Sequence, residues 1–354
     1  MLLSHRFLLE TQVSRLGRRL RWIGVLHHLG YLELSRPVTG ASAGLRPLLH
    51  RLAPEGSRRV RGFAELALAM AGVIWGTNFV LVKMALDDMP PLYYLGLRFL
   101  TAAVLLAPLG IPRVRRLNRR GWFMGTVIGV LLFAGFALQT IGLRTTSPGI
   151  SGFLTSFYVI MVPIILGLAL GRWPSPTVGL GVVIVVGGLA ILSIYGTLGF
   201  GWGEVLTLVA TVFWALHILG IDYASNRMSA IALVQLQMTV CAFLCLACAF
   251  LFEGPEIFPG WRATGIALWT GFAGGVVAYM LVTLGQRHTP PVLAGLLMNL
   301  EAVFALIVSI IAGYDPLTWR TVLGFLLVFV GTSVAHLGTR ETPELTAGAV
   351  PPGP

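Results

Sequence analysis

Residues 63–86 read FAELALAMAGVIWGTNFVLVKMAL, and residues 203–222 read GEVLTLVATVFWALHILGID. Laid over each other at an offset of 139, Glu65 falls on Glu204, Trp75 on Trp214 and Asn78 on His217. Each stretch is an apolar run of about 20 residues, the length a helix needs to cross a bilayer core. The same offset brings Arg98 onto Gln237. An offset of 142 brings Thr146-Ser147-Pro148 onto His288-Thr289-Pro290 and Gly171 onto Gly313. Matched residues at a fixed offset are the mark of an internal repeat.

Beyond this pair, comparable apolar stretches run at 63–86, 92–109, 122–143, 148–170 and 177–195. A second set runs at 203–222, 230–252, 264–284, 290–313 and 318–337. Asp87-Asp88-Met89-Pro90-Pro91, Arg172-Trp173-Pro174, Glu253-Gly254-Pro255 and Tyr314-Asp315-Pro316 punctuate them as turn sequences do. The fold class expected is therefore an all-α integral membrane protein of ten transmembrane helices in two five-helix repeats. Five is odd, so the second repeat enters the membrane from the opposite face and the repeats are inverted. The expected organisation is a basic N-terminal extension at 1–61, repeats at 62–196 and 202–338, and a tail at 339–354.

Composition agrees. Of 354 residues, 56% are hydrophobic and 11% charged, whereas a soluble domain carries about 25% charged residues. Eleven arginines precede Phe63, which equals the formal net charge of +11. The basic pI of 10.4 thus describes a tail and loops, and no nucleic-acid-binding motif accompanies it. With a cytoplasmic N-terminus, inner loops and the C-terminal flank hold Arg113, Arg115, Arg116, Arg119, Arg120, Arg172, Arg227, Arg287 and Arg340. Outer ends hold Lys83, Arg144, Arg262 and Arg320. This asymmetry obeys the positive-inside rule and puts both termini in the cytoplasm.

Residues 1–61 have no apolar core fit for a signal peptide. They read as an interfacial segment on anionic lipid, a disordered tail, or a start assigned too far upstream. Lys83 is the single lysine, a bias that suggests a GC-rich genome and hence a bacterial inner membrane, with an organellar transit peptide as the weaker alternative. Cys241, Cys245 and Cys248 share a helix face. They read as small packing residues rather than a metal site, since a fourth ligand is missing.

The stretch Gly72-Val73-Ile74-Trp75-Gly76-Thr77-Asn78-Phe79-Val80, followed by Lys83, resembles the first-helix signature of EamA-type drug/metabolite transporters. Leu97-Arg98-Phe99-Leu100 resembles that family's second helix. Gly142-Leu143-Arg144-Thr145-Thr146-Ser147-Pro148, Gly152-Phe153-Leu154-Thr155 and Val162-Pro163 resemble its passage through helices three and four. Gln286-Arg287-His288-Thr289-Pro290 and Asn299-Leu300-Glu301 resemble the passage into helix nine, and Gly324 and Gly331 the last helix. The chain departs from the pattern at Gly171-Arg172-Trp173, where the family often has an acid, and at Ala302, where it often has proline. The resemblance implies two EamA repeats, no nucleotide hydrolysis, no cofactor, and export or exchange of a small metabolite.

Ionisable residues inside a span cost free energy and persist where they face a cavity or a partner. Glu301 lies mid-way along the ninth stretch, as a proton or amine acceptor or as a structural hydrogen-bonding group. Arg98 lies about 10 Å into the second helix at 1.5 Å per residue. It suits an anionic substrate, a gating pair with Glu301, or a fixed ion pair. Lys83 either contributes to the site or snorkels to the interface. Trp75 with Asn78, and Trp214 with His217, either line a central cavity from two sides or pack between helices.

Three function classes follow. The first is a secondary transporter of a small metabolite or drug-like compound, proton-coupled or exchanging, with efflux favoured. The second is a sugar-phosphate or nucleotide-sugar exchanger, which needs more cavity cations than Arg98 and Lys83. The third is a membrane enzyme on lipid-linked substrates, which needs clustered Asp, His or Glu; His217, His288 and His336 fall on separate stretches. The expected partners are a small molecule, protons and the bilayer. Oligomeric state has no signature in the sequence.

Overall fold

The computed structural model describes residues 55–169, 175–194, 201–254 and 259–340. The expectations for residues 1–54 and 341–354 lie outside them. Chain contacts divide the protein into a main unit, 54–163 with 175–354, and a small one, 1–53 with 164–174. The main unit holds nearly all of the described helices.

Every regular element among the described residues is helical. In the first half these are α1 (Glu55–Ala85), α2 (Pro91–Val114), α3 (Arg119–Leu143), α4 (Pro148–Thr155), α5 (Tyr158–Ala169) and α6 (Pro176–Ile194). The second half has α7 (Trp202–Ser225), α8 (Ala230–Phe252), α9 (Trp261–Thr270), α10 (Ala278–Gly285), α11 (Pro291–Met298), α12 (Leu300–Ile311) and α13 (Trp319–Arg340). A π-helical segment, Gly271–Val277, joins α9 to α10.

Eight segments are long and apolar enough to cross a membrane, and they coincide with eight of the ten expected stretches. The other two stretches form α6 and α13. These pack on each other, with shorter apolar cores at Pro176–Gly188 and Trp319–Gly331. Gly331 permits that approach, since a Cβ there would lie 2.8 Å from the Gly181 carbonyl oxygen.

The helix ends follow local chemistry. Pro91, Pro148 and Pro291 occupy first-turn positions, where the missing N–H costs nothing. Asn118 caps α3 by accepting from Gly121 N at 2.8 Å, and Ser147 caps α4. Gly313 ends α12 with φ +77°, the left-handed conformation glycine adopts without strain.

Hydrogen bonds sort the loops to two ends, as alternating crossings require. At one end, designated upper, Glu253 accepts from Leu92 N and Tyr93 N, both at 2.9 Å, and Arg262 pairs with Asp88 at 2.8 Å. There too Thr146 Oγ1 donates to Glu204 at 2.8 Å. Asp315 accepts from Ser147 Oγ at 2.6 Å, Gly149 N at 3.0 Å and Ser309 Oγ at 2.5 Å. At the lower end Arg120 bonds to the Tyr223 hydroxyl. Trp202, Trp261 and Trp319 begin their helices at the upper end with 68–82% of their surface exposed, as interfacial tryptophans do.

Asp315 is nearly buried and accepts three bonds, of which those from Ser147 and Gly149 join the two halves of the chain. Asp315→Ala should therefore cost about 1–3 kcal/mol by orphaning those donors. The loss should register as a lower melting temperature in detergent, with the helix content of the folded protein unchanged.

Two of the long segments are broken at matching depths. The fourth breaks at Ser156–Phe157 between α4 and α5, and the ninth at Asn299 between α11 and α12. Phe157 and Asn299 are related by an offset of 142, as are the loops before them. Helix α1 lies close against the second break. A Cβ at Gly72 would stand 2.5 Å from the Met298 carbonyl oxygen, and one at Gly76 the same distance from that of Glu301. This small-residue spacing lets backbones meet without intervening side chains. Gly76→Val should thus destabilise the protein by about 1–3 kcal/mol through overpacking, measurable as reduced yield and melting temperature of the purified protein.

Candidate functional site: a cavity lined by both repeats

Helix α1 turns Trp75, Asn78, Phe79 and Val82 to one side, and α7 turns Trp214, His217, Ile218 and Ile221. Both sets have the spacing i, i+3, i+4, i+7 of a single helical face. They line one cavity with Arg98 from α2, Phe136, Gln139, Thr140 and Leu143 from α3, and Thr155 and Tyr158 from α4 and α5. Tyr279 and Val282 from α10, Met298 from α11 and Glu301 from α12 complete it.

The lining carries the internal repeat. Trp75 and Trp214, Asn78 and His217, Phe79 and Ile218, Val82 and Ile221, Thr140 and Tyr279, and Leu143 and Val282 all share the offset of 139. Twelve of the lining residues are thus repeat-related pairs, so the two halves face each other across this space.

Aromatic rings run around its wall. Phe136 meets Trp214 edge-on at 4.6 Å, Trp214 meets His217 at 6.0 Å, His217 meets Tyr279 at 5.8 Å, and Tyr279 meets Trp75 at 4.9 Å. The Arg98 guanidinium lies 4.7 Å from the Phe136 ring centre, within cation–π range. Such a wall is apolar enough to receive a ring or an alkyl body.

The polar groups are few and uneven. Arg98 is 3% exposed and Glu301 8%. The Tyr94 hydroxyl lies beside the guanidinium, and among the described residues neither Arg98 nor Glu301 forms a close ion pair. Among the described residues, Asn78 Nδ2, Arg98 Nε, Trp214 Nε1 and the Tyr279 hydroxyl are buried without a hydrogen-bond partner. A buried donor left unpaired costs about 1–3 kcal/mol, so four together mark a place prepared for an acceptor. The second repeat differs. There His217 Nε2 and Gln237 Oε1 are bonded at 2.9 Å, and these are the repeat partners of Asn78 and Arg98. His217 and Gln237 are thus bonded to each other, whereas their repeat partners Asn78 and Arg98 each keep an unpaired donor.

The π-helical segment explains how Arg98 fits. A Cβ at Gly271 would stand 2.5 Å from the Arg98 carbonyl oxygen, and one at Gly274 2.6 Å from Asn78 Nδ2 and 2.8 Å from Arg98 Nη2. The Gly274 carbonyl accepts from Trp75 Nε1 at 3.1 Å. Glycines in a widened turn therefore seat the guanidinium and the amide side by side, a usual setting for π segments at functional sites.

The sequence matches the EamA-like transporter family over residues 62–194 and again over 201–336. The chain belongs to that family. It is a multi-pass membrane protein of a transporter family, not an enzyme. An uncharacterized transporter of Archaeoglobus fulgidus is 30% identical over 285 residues, 80% of this chain and 88% of that protein. The uncharacterized transporter YvbV of Bacillus subtilis is 27% identical over 80% of this chain and 93% of its own length. The uncharacterized inner membrane transporter YedA of Escherichia coli is 26% identical over 71% and 83%. A solved crystal structure 19% identical to this chain superposes with a TM-score of 0.61, over 79% of this chain and 98% of that one, and carries the same fold.

Of the residues singled out in the sequence of this EamA-like transporter, the cavity gathers Trp75, Asn78, Arg98, Trp214, His217 and Glu301. Lys83 is outside the lining. Its ammonium donates to the carbonyls of Leu143, Arg144 and Thr146 at 2.7–3.0 Å. Sequence reasoning misses Tyr279, Thr140, Phe136, Gln139, Thr155 and Tyr158. The repeat offset, applied along whole helix faces, pairs Thr140 with Tyr279 and is the signal that could have found them. Cys241 and Cys245 are buried in the apolar core with sulfurs 3.9 Å apart. No cluster of three metal-ligating side chains occurs among the described residues.

Proposed function

We propose that this EamA-like protein is a secondary transporter of the bacterial inner membrane that carries a small organic solute, with efflux favoured. Ten helices in two inverted five-helix repeats cross the membrane, with α6 and α13 as the fifth and tenth. The repeats are taken as residues 62–196 and 202–338. Both termini are cytoplasmic, so the upper end is the outer one. The cavity between the repeats is exposed to each side in turn.

The observation that carries this reading is Arg98: a buried guanidinium with no close carboxylate among the described residues, in a cavity built from both repeats. It takes the acceptor-rich, anionic end of the solute, helped by Asn78, Trp214 and Tyr279, while the aromatic wall takes its body. Glu301, also outside any close ion pair, accepts either a proton that drives the cycle or an amino group on the solute. A phosphorylated sugar fits less well, because Arg98 is the one fixed cation among the lining residues and a phosphate dianion needs more.

A screen of radiolabelled carboxylate-bearing metabolites against liposomes of the purified protein tests this. At least one should accumulate under an imposed proton or solute gradient. Chemical conversion of a substrate without vectorial movement would defeat the proposal.

A further inference from the structure

Lys83 and Arg287 are two cations on, or just beyond, helices whose other residues line the cavity, and neither lines it itself. At the upper end Lys83 Nζ, on α1, donates to three carbonyls at the end of α3: Leu143 at 2.7 Å, Arg144 at 3.0 Å and Thr146 at 3.0 Å. At the lower end Arg287, just beyond α10, donates through Nε to the Ser225 carbonyl at 2.8 Å and through Nη2 to that of Met228 at 2.9 Å. Those carbonyls close α7. In both places one cation satisfies the last carbonyls of a helix, where the helix dipole also favours positive charge.

The two contacts are related by the repeat. The offset of 139 carries Leu86 and Met89, next to Lys83, onto Ser225 and Met228. The offset of 142 carries Thr145, which lies between the Lys83 acceptors Arg144 and Thr146, onto Arg287. The same two helix ends are joined in each half, with the donor exchanged. The packing gives the contacts a direction. Helix α1 packs chiefly on α12 and α10, and α3 packs chiefly on α7 and α8. Lys83 and Arg287 thus both extend from the α1–α10–α12 group, and both bond to the α3–α7 group, at opposite ends of the cavity. Val82 and Leu143 line the cavity beside one contact, Ile221 and Val282 beside the other.

We propose that Lys83 and Arg287 are the two gates of this transporter: cationic staples that hold the two helix groups together at opposite mouths and are released one at a time. Both are made in the present structure. A group that rocks about its middle must part at one mouth while staying closed at the other. A few charge-assisted hydrogen bonds to carbonyls can be broken and remade without uncovering a buried carboxylate. This role rests on the transport reading, and it assigns to Lys83 a mechanical part rather than a place in the binding site.

Spin-label distances across each mouth test it, in a background with the native cysteines changed to alanine that retains transport. The upper pair is Asp87→Cys with Thr145→Cys, and the lower pair Asn226→Cys with His288→Cys; all four positions are exposed. Lys83→Met should raise the long-distance population at the upper mouth severalfold and leave the lower mouth closed. Arg287→Met should do the reverse, and Lys83→Arg should restore the closed upper distribution. A Lys83→Met protein with an unchanged upper distance, or with both mouths widened together, would overturn the proposal. If solute flux persists in that case, the gates fail and the transport reading stands. If no solute moves through any liposome preparation, the transport reading itself fails.

Discussion

Arg98→Ala should raise the apparent KM for the transported solute by about 30-fold to several thousandfold. Truncating one partner of a buried charge pair costs about 2–5 kcal/mol, and about 1.4 kcal/mol is a factor of ten. Arg98 has no close carboxylate among the described residues, so the charge–charge interaction lost is with the solute, and within the fold the guanidinium has only the Phe136 and Phe99 rings and the Tyr94 hydroxyl as named partners. Two further results separate binding from structure. Lysine at this position should recover only part of the affinity, because a point charge cannot replace the planar fork that meets a carboxylate through two bonds. The melting temperature of the solute-free alanine variant should not fall, since removing a buried cation that lacks a counter-ion relieves a desolvation cost. An Arg98→Ala protein that transports normally, or one that unfolds, would remove Arg98 from the site. Uptake kinetics in liposomes, paired with thermal melts, supply both readings.

Glu301→Gln has the second large expected effect. The glutamine keeps the shape and hydrogen-bonding reach of the side chain but cannot gain and lose a proton. Uptake against a gradient driven by protons should vanish, while the protein purifies and melts as the parent does. The position supports this. Glu301 is the one acid among the lining residues, and it sits in the first turn of α12, just past the break at Asn299 and against the backbone of α1 at Gly76. Interrupted helices in transporters commonly bring backbone ends and side chains of this kind to the substrate or ion site. A Glu301→Gln variant with unchanged concentrative uptake and the same dependence on external pH would contradict the role.

Much of this is legible in the chain. Eight of the expected stretches form long apolar helices because a span of about 20 residues is fixed by bilayer thickness and leaves little freedom. The repeat offset, read from Trp75, Asn78 and Arg98, reappears as the pairing of the cavity lining. Local geometry is what escapes. The breaks at Ser156–Phe157 and Asn299 interrupt the backbone without changing apolar composition, so hydropathy passes through them unmarked. The same holds for the π turn at Gly271–Val277, where glycines seat Arg98; in the sequence they read only as packing residues. Helix α1 begins near Glu55 rather than at residue 63, because Arg58, Arg59 and Arg61 favour a helix as much as the apolar run does. Lys83 escapes for another reason. Its carbonyl partners are some 60 residues away, and no spacing rule within one helix reports a contact across a cavity.

Whether the solute binds between the repeats with its anionic end on Arg98 is best decided by imaging it there. The sample is the protein with a solute taken up in the liposome screen, and the measurement a cryo-electron microscopy map. Density is expected between Trp75, Phe136 and Trp214, with an acidic group within hydrogen-bond distance of the Arg98 guanidinium. Density for the solute elsewhere in the protein, with Arg98 still lacking an anionic partner, would contradict that placement.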